Sequence, residues 1–261
     1  MTYKLSSLLK TKNESLKKVQ FFDGFMGGAS GGTLETVYIS INAKKAGTKR
    51  SKLGYDPLLK NLGQKTKSVN NLVPRYQNMF GYSGVHKSWV GSFVMARVNS
   101  QIVRRSNALL GYSEKLVYEE AAIYSNFFRA FNAFVGLIFF ATTLFNPPVT
   151  WVLRKFVLPK PGEGPSEESR KRYFLRVHGY GTGSGGTRAK ATLYFPNDPG
   201  YVDTARMLVE TGLSISLRKD IEQVKGGYHT TASCSGDILL KRLLDTGSVF
   251  NMEILEDKKT K

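Results

Sequence analysis

The sequence is poor in the residue types that build disulfides and metal sites. It has one cysteine, Cys234, and three histidines, which are scattered at positions 86, 178 and 229. One cysteine excludes a disulfide within the chain, and a structural zinc ion needs about four clustered ligands. We therefore expect no internal disulfide and no metal, and a single free thiol fits a reducing compartment.

Recognisable nucleic-acid-binding patterns are also lacking. The chain carries 38 Lys and Arg against 20 Asp and Glu, a formal net charge of +18, which fits either nucleic acid or an anionic membrane as a partner. It shows no RNP-like aromatic strand and no zinc-finger spacing, and its charges are widely spaced. We therefore expect no nucleic-acid partner and favour an anionic membrane surface.

A secretory signal is not recognisable at the N-terminus, "MTYKLSSLLKTKNESLKKVQFF", because the stretch has no apolar core of 7–15 residues. Its basic, serine-containing start has a single acid, Glu14, which weakly resembles a mitochondrial presequence. The mitochondrion is therefore the second choice of location, after an intracellular membrane or lipid-droplet surface.

Apolar residues are plentiful enough for a folded core. The 261 residues are 41% hydrophobic and 12% aromatic, which is typical of one large or two small globular domains. The first distinctive feature is a glycine loop, "GFMGGASGGTLETVY", between a predicted strand at 16–25 and a helix that we expect Thr33 to cap.

The glycine loop does not match the known phosphate-binding patterns. No frame of residues 24–32 gives G-x-G-x-x-G, and Thr33 stands where a P-loop needs Lys after Gly27 and Gly32. Two interpretations remain open: backbone N–H groups that contact an anion or substrate, or a tight structural turn. The candidate substrate or domain-contact residues are Gly27, Gly28, Ser30, Gly31, Gly32 and Thr33.

A literal G-x-G-x-x-G match occurs at residues 181–186, "GTGSGG". A dinucleotide site requires a helix after this motif, whereas an alternating strand follows here, with apolar residues at every second position from Ala189 to Phe195. We therefore interpret the motif as a hairpin turn and assign no cofactor-binding residue.

The most apolar segment covers residues 127–158. Between Arg129 and Arg154 it has 24 residues without a charge, interrupted by Asn146-Pro147-Pro148. Proline ends helices, so we expect two helices that meet at a corner. Three alternatives remain open: a buried core helix, an in-plane or hairpin membrane anchor, and a single span. The candidate anchor residues are Phe134, Leu137, Phe139, Phe140, Leu144 and Trp151.

The periodicity of the remaining sequence predicts an α+β fold. We expect a mixed, largely antiparallel sheet with packed helices and a protruding apolar helical segment. One helix fits "SFVMARVNSQIVRRSNALLG", with Val94, Val98 and Ile102 on one face and Ser92 as its cap. The predicted segments are an N-terminal extension at 1–18, two parts of one domain at 19–126 and 173–261, the apolar segment, and a flexible linker at 159–172.

The sequence offers no strong candidates for catalytic residues. The three histidines have no Ser or Asp partners at a recognisable spacing. A thiolate of Cys234 at a helix N-terminus would be activated, but capping of that helix by Ser233 or Ser235 explains the serines without catalysis. We therefore assign no catalytic residue.

Several segments in one order carry a family resemblance: "GGASGGTLETV", "FVMARVNSQIVRRSNALLGYS", "PGEGPSEESRKRYFLRV", "DPGYVDTARMLVE" and "SGDILLKRLLDTG". From about Val19 to Glu253 the chain resembles the C-terminal portion of the saccharopine dehydrogenase-like oxidoreductases, which include the trans-acting enoyl reductases. The resemblance implies an N-terminal Rossmann domain that binds NAD(P), followed by an α+β domain that shapes the substrate side and pairs subunits. It also implies lipid metabolism and association with lipid droplets or membranes.

The chain departs from this family pattern in two ways. The Rossmann domain is absent from the sequence, so the resemblance implies a chain that binds no dinucleotide and is inactive alone. At Tyr228-His229-Thr230-Thr231 the family usually has an apolar residue followed by Thr-Pro, so His229 is not carried over as a catalytic residue. The resemblance therefore predicts the substrate-side and dimerisation domain of an NAD(P)-dependent oxidoreductase, and the alternative is a non-enzymatic, membrane-attached interaction protein.

Overall fold

The computed structural model describes residues 1–28, 31–45, 80–144, 146–160, 162–218, 224 and 226–255. Its helices and strands are α1 (Thr2–Lys10), β1 (Leu16–Met26), α2 (Gly31–Lys45), β2 (Gly81–Ser83), β3 (Ser88–Gly91), α3 (Ala96–Leu110), β4 (Val117–Tyr124), α4 (Phe127–Leu144), α5 (Pro147–Phe156), α6 (Glu167–Arg170), β5 (Phe174–Gly183), β6 (Arg188–Phe195), α7 (Val202–Ser216), α8 (Thr231–Asp245) and β7 (Val249–Leu255).

The strands form one seven-stranded sheet in the order β2-β3-β4-β1-β5-β6-β7. Only the central pair, β1 and β4, is parallel among the described strands, with Phe21 opposite Glu120, and every other neighbouring pair is antiparallel. The predicted α+β fold with a largely antiparallel sheet is therefore confirmed.

Helix α1 lies within the stretch that we expected to form an N-terminal extension, and it contributes to the core. Leu5 and Leu9 are fully buried and pack in one cluster with Val19 and Phe21 of β1. Tyr3 Oη donates a hydrogen bond of 2.7 Å to Asp237 on α8. The first helix therefore joins the centre of the sheet to the C-terminal part of the fold.

Glycines in β5 allow this close approach of α1 to the sheet. A Cβ atom at Gly179 would lie 3.3 Å from Leu5 Cδ1 on α1 and 2.5 Å from the ring of Phe21, and one at Gly181 would lie 3.5 Å from Leu5 Cβ. The predicted hairpin between β5 and β6 is confirmed, and Glu14 accepts a hydrogen bond of 2.7 Å from Gly185 N at its turn. The literal G-x-G-x-x-G motif is thus a packing and turn element.

Helix α3 begins at Ala96, so the prediction that Ser92 caps it was wrong. The predicted apolar face exists, but Val98 and Ile102 on it are exposed. The buried face is polar instead: Arg105 donates to the carbonyl of Tyr228, and Ser106 Oγ lies 2.8 Å from Thr230 Oγ1. Hydrogen bonds to neighbouring elements, which periodicity does not reveal, decide which face of this helix is buried.

Helix α8 is capped by Thr230, not by Ser233 or Ser235 as expected. The Thr230 hydroxyl accepts a hydrogen bond from Ser233 N, and the Ser233 hydroxyl accepts one from Thr230 N. This reciprocal arrangement is a capping box, in which two otherwise unpaired donors are satisfied. The cap thereby explains Ser233 without catalysis, and Ser235 Oγ instead lies 2.9 Å from Ser214 Oγ of α7.

Candidate functional site

The glycine loop is packed against the segment that we expected to be a flexible linker. A Cβ atom at Gly31 would lie 1.9 Å from the carbonyl oxygen of Lys160, and one at Gly28 would lie 2.6 Å from the ring of Pro165. Gly31 N also donates a hydrogen bond of 3.1 Å to the carbonyl of Glu163. Glycine is therefore required at these two positions by the close approach of the linker backbone and Pro165.

The remaining candidate residues of this loop have different surroundings. Gly27 lies beside the ring of Pro199, Ser30 lies outside the described residues, and Gly32 and Thr33 are exposed in the first turn of α2. Because α2 begins at Gly31, Thr33 is inside the helix and is not its cap. The geometry at Gly31 does not fit a phosphate, since its N–H already has a partner. A substrate or domain contact at Gly32 and Thr33 stays a prediction.

An apolar pocket of about 240 Å³ lies at the carboxyl ends of the parallel strands β1 and β4. Phe25 and Tyr124 contribute from these strands, and residues 91–94, at the end of β3 and just after it, form a second side. Helix α4 closes the third side with residues at the i, i+3, i+4, i+7 spacing of one helix face. These α4 residues are Ala130, Ala133, Phe134 and Leu137.

The predicted anchor residues on α4 and α5 divide into two groups. Phe134 and Leu137 line the pocket, whereas Phe139 and Trp151 are 66% and 59% exposed. Phe140 is half-buried, and the side chain of Leu144 lies outside the described residues. Among the described helices, none is long and apolar enough to cross a membrane.

The corner between α4 and α5 is held by short polar contacts. The Asn146 side chain caps α5 by accepting from Val149 N, and Pro147 occupies the first turn, as the interrupted sequence predicts. The Thr150 hydroxyl donates a hydrogen bond of 2.8 Å to the carbonyl of Thr143. The two predicted helices and their corner are therefore confirmed, and we call α4 and α5 together the apolar hairpin.

A buried acidic pair lies on the same sheet face as the pocket. Its two residues precede the pocket residues Phe25 on β1 and Tyr124 on β4. Asp23 on β1 and Glu120 on β4 are nearly inaccessible to solvent. The Glu120 carboxylate accepts hydrogen bonds from Asn99 Nδ2 at 2.9 Å and from Tyr118 Oη at 2.8 Å, and it shares a further hydrogen bond with Asp23. Two carboxyls that share a hydrogen bond must hold a proton between them.

Burial is the largest cause of the raised pKa values of this pair. It raises the pKa of Asp23 well above its ordinary value, and the charge of Glu120 and the shared hydrogen bond raise it further. Burial also raises the pKa of Glu120, although the hydrogen bonds from Asn99 and Tyr118 oppose that rise. The pair therefore carries a shared proton well above the pH at which exposed carboxyls ionise.

Sequence reasoning missed the acidic pair. The signal was available, because Asp23 follows "VQFF" in β1 and Glu120 stands in "VYEEAAIY" of β4, both strand-like and mostly apolar runs. A carboxyl inside such a run is unusual enough to mark a buried polar network.

Two of the three histidines meet on the opposite sheet face. The rings of His86 and His178 are 4.7 Å apart, and their Nδ1 atoms lie 3.1 Å from Tyr180 Oη and 3.3 Å from Thr192 Oγ1. Burial, followed by nearby positive groups that include His86, lowers the pKa of His178 to about 4. His229 instead lies near Ser233 at the start of α8, so the structure does not gather the three residues.

Cys234 is half-buried in the first turns of α8, and its carbonyl accepts a hydrogen bond from Arg218. Across the parts of the chain that the structure describes, no group of three or more His, Cys, Asp or Glu side chains could hold a metal ion. The geometry therefore offers the apolar pocket as the candidate binding site.

Fold and site together define an α+β domain that holds an apolar pocket at the carboxyl ends of its two central, parallel strands. A putative trans-acting enoyl reductase of Mycobacterium tuberculosis is 36% identical to it over 167 residues, which are 61% of this chain and 40% of the relative. A trans-acting enoyl reductase of Mycobacterium ulcerans is 37% identical over 170 residues, 62% of this chain and 40% of the relative. One of Mycobacterium bovis is 34% identical over 169 residues, with the same shares.

The predicted resemblance to the trans-acting enoyl reductases is therefore confirmed for about three fifths of the chain. The chain spans about 40% of the length of these curated relatives. Their names support an oxidoreductase-like family for the matching part. No family model matches the chain, and no solved structure matches it.

Proposed function

We propose that this chain is the substrate-side and dimerisation domain of an NAD(P)-dependent oxidoreductase of lipid metabolism, and that it is inactive without a nucleotide-binding part. The observation that carries the proposal is the apolar pocket between the parallel strands and α4. Such pockets commonly hold apolar substrates at the carboxyl ends of strands. In the complete enzyme, hydride would pass from an NAD(P)H held by the other part to a substrate positioned here.

The exposed apolar face of α3 supports a partner domain beside this pocket. Val98 and Ile102 lie on this face and are 51% and 42% exposed, and the helix follows shortly after the pocket residues 91–94. Exposed apolar strips of this kind mark surfaces that another domain covers. The part of each relative that lies outside the match, about three fifths of its length, is the occupant that we propose.

Co-purification tests this arrangement. The chain is co-expressed with the part of the M. tuberculosis relative that lies outside the match, and we expect a stable complex. Val98→Asp and Ile102→Asp should abolish it, while Leu208→Asp, at an exposed apolar position on α7, should not. Failure of the two parts to associate, or association that survives the α3 substitutions, would overturn the proposed domain role.

The second candidate function is attachment to an anionic membrane or lipid-droplet surface by the apolar hairpin. Exposed large side chains cover one face of α4 and most of α5. No acidic residue occurs from 127 to 162, and Arg129, Lys155 and Lys160 border the segment. Lys155 Nζ lies 4.7 Å from the centre of the Trp151 ring, the pairing of a cation and an aromatic that suits a membrane interface.

A flotation assay with phosphatidylglycerol vesicles tests the attachment. We expect the protein to float at low salt and Phe139→Glu/Phe156→Glu to remain in the dense fraction. Leu208→Glu is the matched control, because it places the same charge at an exposed apolar position on another helix. A protein that does not float, or a double variant that still floats, would rule out attachment through this hairpin.

A further inference from the structure

Helix α4 is shared by the pocket and by the exposed apolar surface. Its pocket face carries Ala130, Ala133, Phe134 and Leu137. Phe128, Phe131, Val135 and Ile138 have a similar helical spacing on another face, and all four are exposed. One helix therefore separates the inside of the pocket from the surface that we propose rests on a membrane.

The exposure of two lining residues places the opening of the pocket beside that surface. Leu137 on α4 and Val94 before α3 both line the pocket, and both are exposed. The opposite wall is aromatic, with the rings of Phe25 and Phe93 in edge-to-face contact at 5.7 Å. A ligand entering between Leu137 and Val94 would meet apolar side chains on each side of its path.

We propose that the pocket takes an aliphatic chain directly from the anionic lipid surface on which the apolar hairpin rests. This inference rests on the membrane attachment proposed above. The occupant is one acyl chain of a membrane lipid, because eight of the ten residues that line the pocket have no polar side-chain atom, Ser92 and Tyr124 being the exceptions. The basic residues that border the hairpin attract the anionic headgroup and leave the acyl chain beside the opening.

Photo-crosslinking from vesicles tests the entry of the chain. Phosphatidylglycerol vesicles carry a diazirine in one acyl chain, and the labelled residues are identified by mass spectrometry. We expect label on Phe25 or Phe93, the wall opposite α4, as well as on Trp151 and Phe156 of the hairpin. Label on the hairpin alone would overturn the inference while leaving membrane attachment intact.

Two variants distinguish binding in the pocket from attachment through the surface of the hairpin. Ala133→Phe fills the pocket, and it should reduce label on Phe25 and Phe93 about tenfold while label on Trp151 is unchanged. Phe139→Glu/Phe156→Glu should abolish all label from vesicles, whereas a soluble diazirine fatty acid should still label the pocket. Circular dichroism checks that each variant is folded. If Ala133→Phe does not fold, Leu137→Ala, which widens the opening, is measured in its place.

The soluble probe also distinguishes the source of the chain. If the diazirine fatty acid labels Phe25 and Phe93 but vesicles do not, the pocket binds aliphatic chains from solution and direct loading from the membrane is wrong. If neither probe labels the pocket, an aliphatic occupant is wrong altogether. Both outcomes leave the flotation result, and therefore the proposed attachment, to be judged separately.

Discussion

Two acidic residues lie buried next to each other in the centre of the sheet. Asp23 and Glu120 share a proton between two adjacent parallel strands, where water is excluded. Tyr118 and Asn99 donate to Glu120 and so stabilise the charge that remains. Ionisation of both groups is unfavourable, because two neighbouring ionised carboxyls would repel each other in a medium of low dielectric.

The acidic pair predicts a specific dependence of stability on pH. Since burial raises the pKa of both groups in the folded state, their stabilisation is complete below the unfolded-state pKa values, about 4. It is lost as the pH rises through the folded-state pKa values. Asp23→Asn imitates the protonated residue, so its free energy of unfolding should fall less between pH 5 and pH 9 than that of the wild type.

Urea unfolding at several pH values measures this difference. Asp245→Asn is the control, because that carboxyl is exposed and pairs with Lys241 on the surface. Parallel curves for the wild type and Asp23→Asn would show that the buried pair does not hold a proton through this pH range.

Individual residues also show which contacts could not be predicted from the sequence. The glycines at 28 and 31 were recognised as special, but only the structure shows that Pro165 and the backbone of the linker occupy the space a side chain would need. The acidic pair was missed because β1 and β4 are about 100 residues apart in sequence, and local patterns say nothing about which strands become neighbours.

At the scale of elements, the helices and strands with a strong hydrophobic periodicity could be predicted from the sequence. The role of the first helix could not. The hairpin β5–β6 and the corner between α4 and α5 follow from alternation, glycine and proline. The packing of α1 could not be predicted, because it depends on two glycines of β5 that lie about 170 residues away. The same reason explains α3, whose buried face is chosen by distant hydrogen-bond partners.

Truncation of Leu5 tests the contribution of α1 to the core. Leu5 is fully buried against the sheet, so Leu5→Ala should lower the free energy of unfolding by about 2–5 kcal/mol through lost burial and the cavity left behind. Lys10→Ala on the exposed end of the same helix should change it by less than about 0.5 kcal/mol. Equal effects in thermal or urea unfolding would mean that α1 is a removable extension.

At the scale of the whole molecule, the sheet has two unlike faces. Helix α1 and the apolar residues of β1 and β6 cover one face, which also holds the acidic pair and the pocket. The other face presents half-buried His178, Tyr180 and Tyr194. A broad, partly polar sheet surface of this kind suits an isologous contact with a second copy of the chain.

The proposed homodimer follows from that second face. Light scattering after size-exclusion chromatography should give about twice the chain mass of 29.1 kDa. Tyr194→Glu should shift the protein towards a monomer by placing a charge in the contact, whereas Leu208→Glu on α7 should leave the mass unchanged. A wild-type protein that elutes with the mass of one chain at high concentration would exclude the dimer.

The central claim is that this chain provides the substrate side of an oxidoreductase and leaves the cofactor to another part. Titration of NADPH, followed by its own fluorescence, tests this claim most directly, with the full-length M. tuberculosis relative as the positive control. We predict a saturable signal for the relative and none for this chain at the same concentrations. Saturable binding to this chain alone, in the micromolar range usual for such cofactors, would contradict the account.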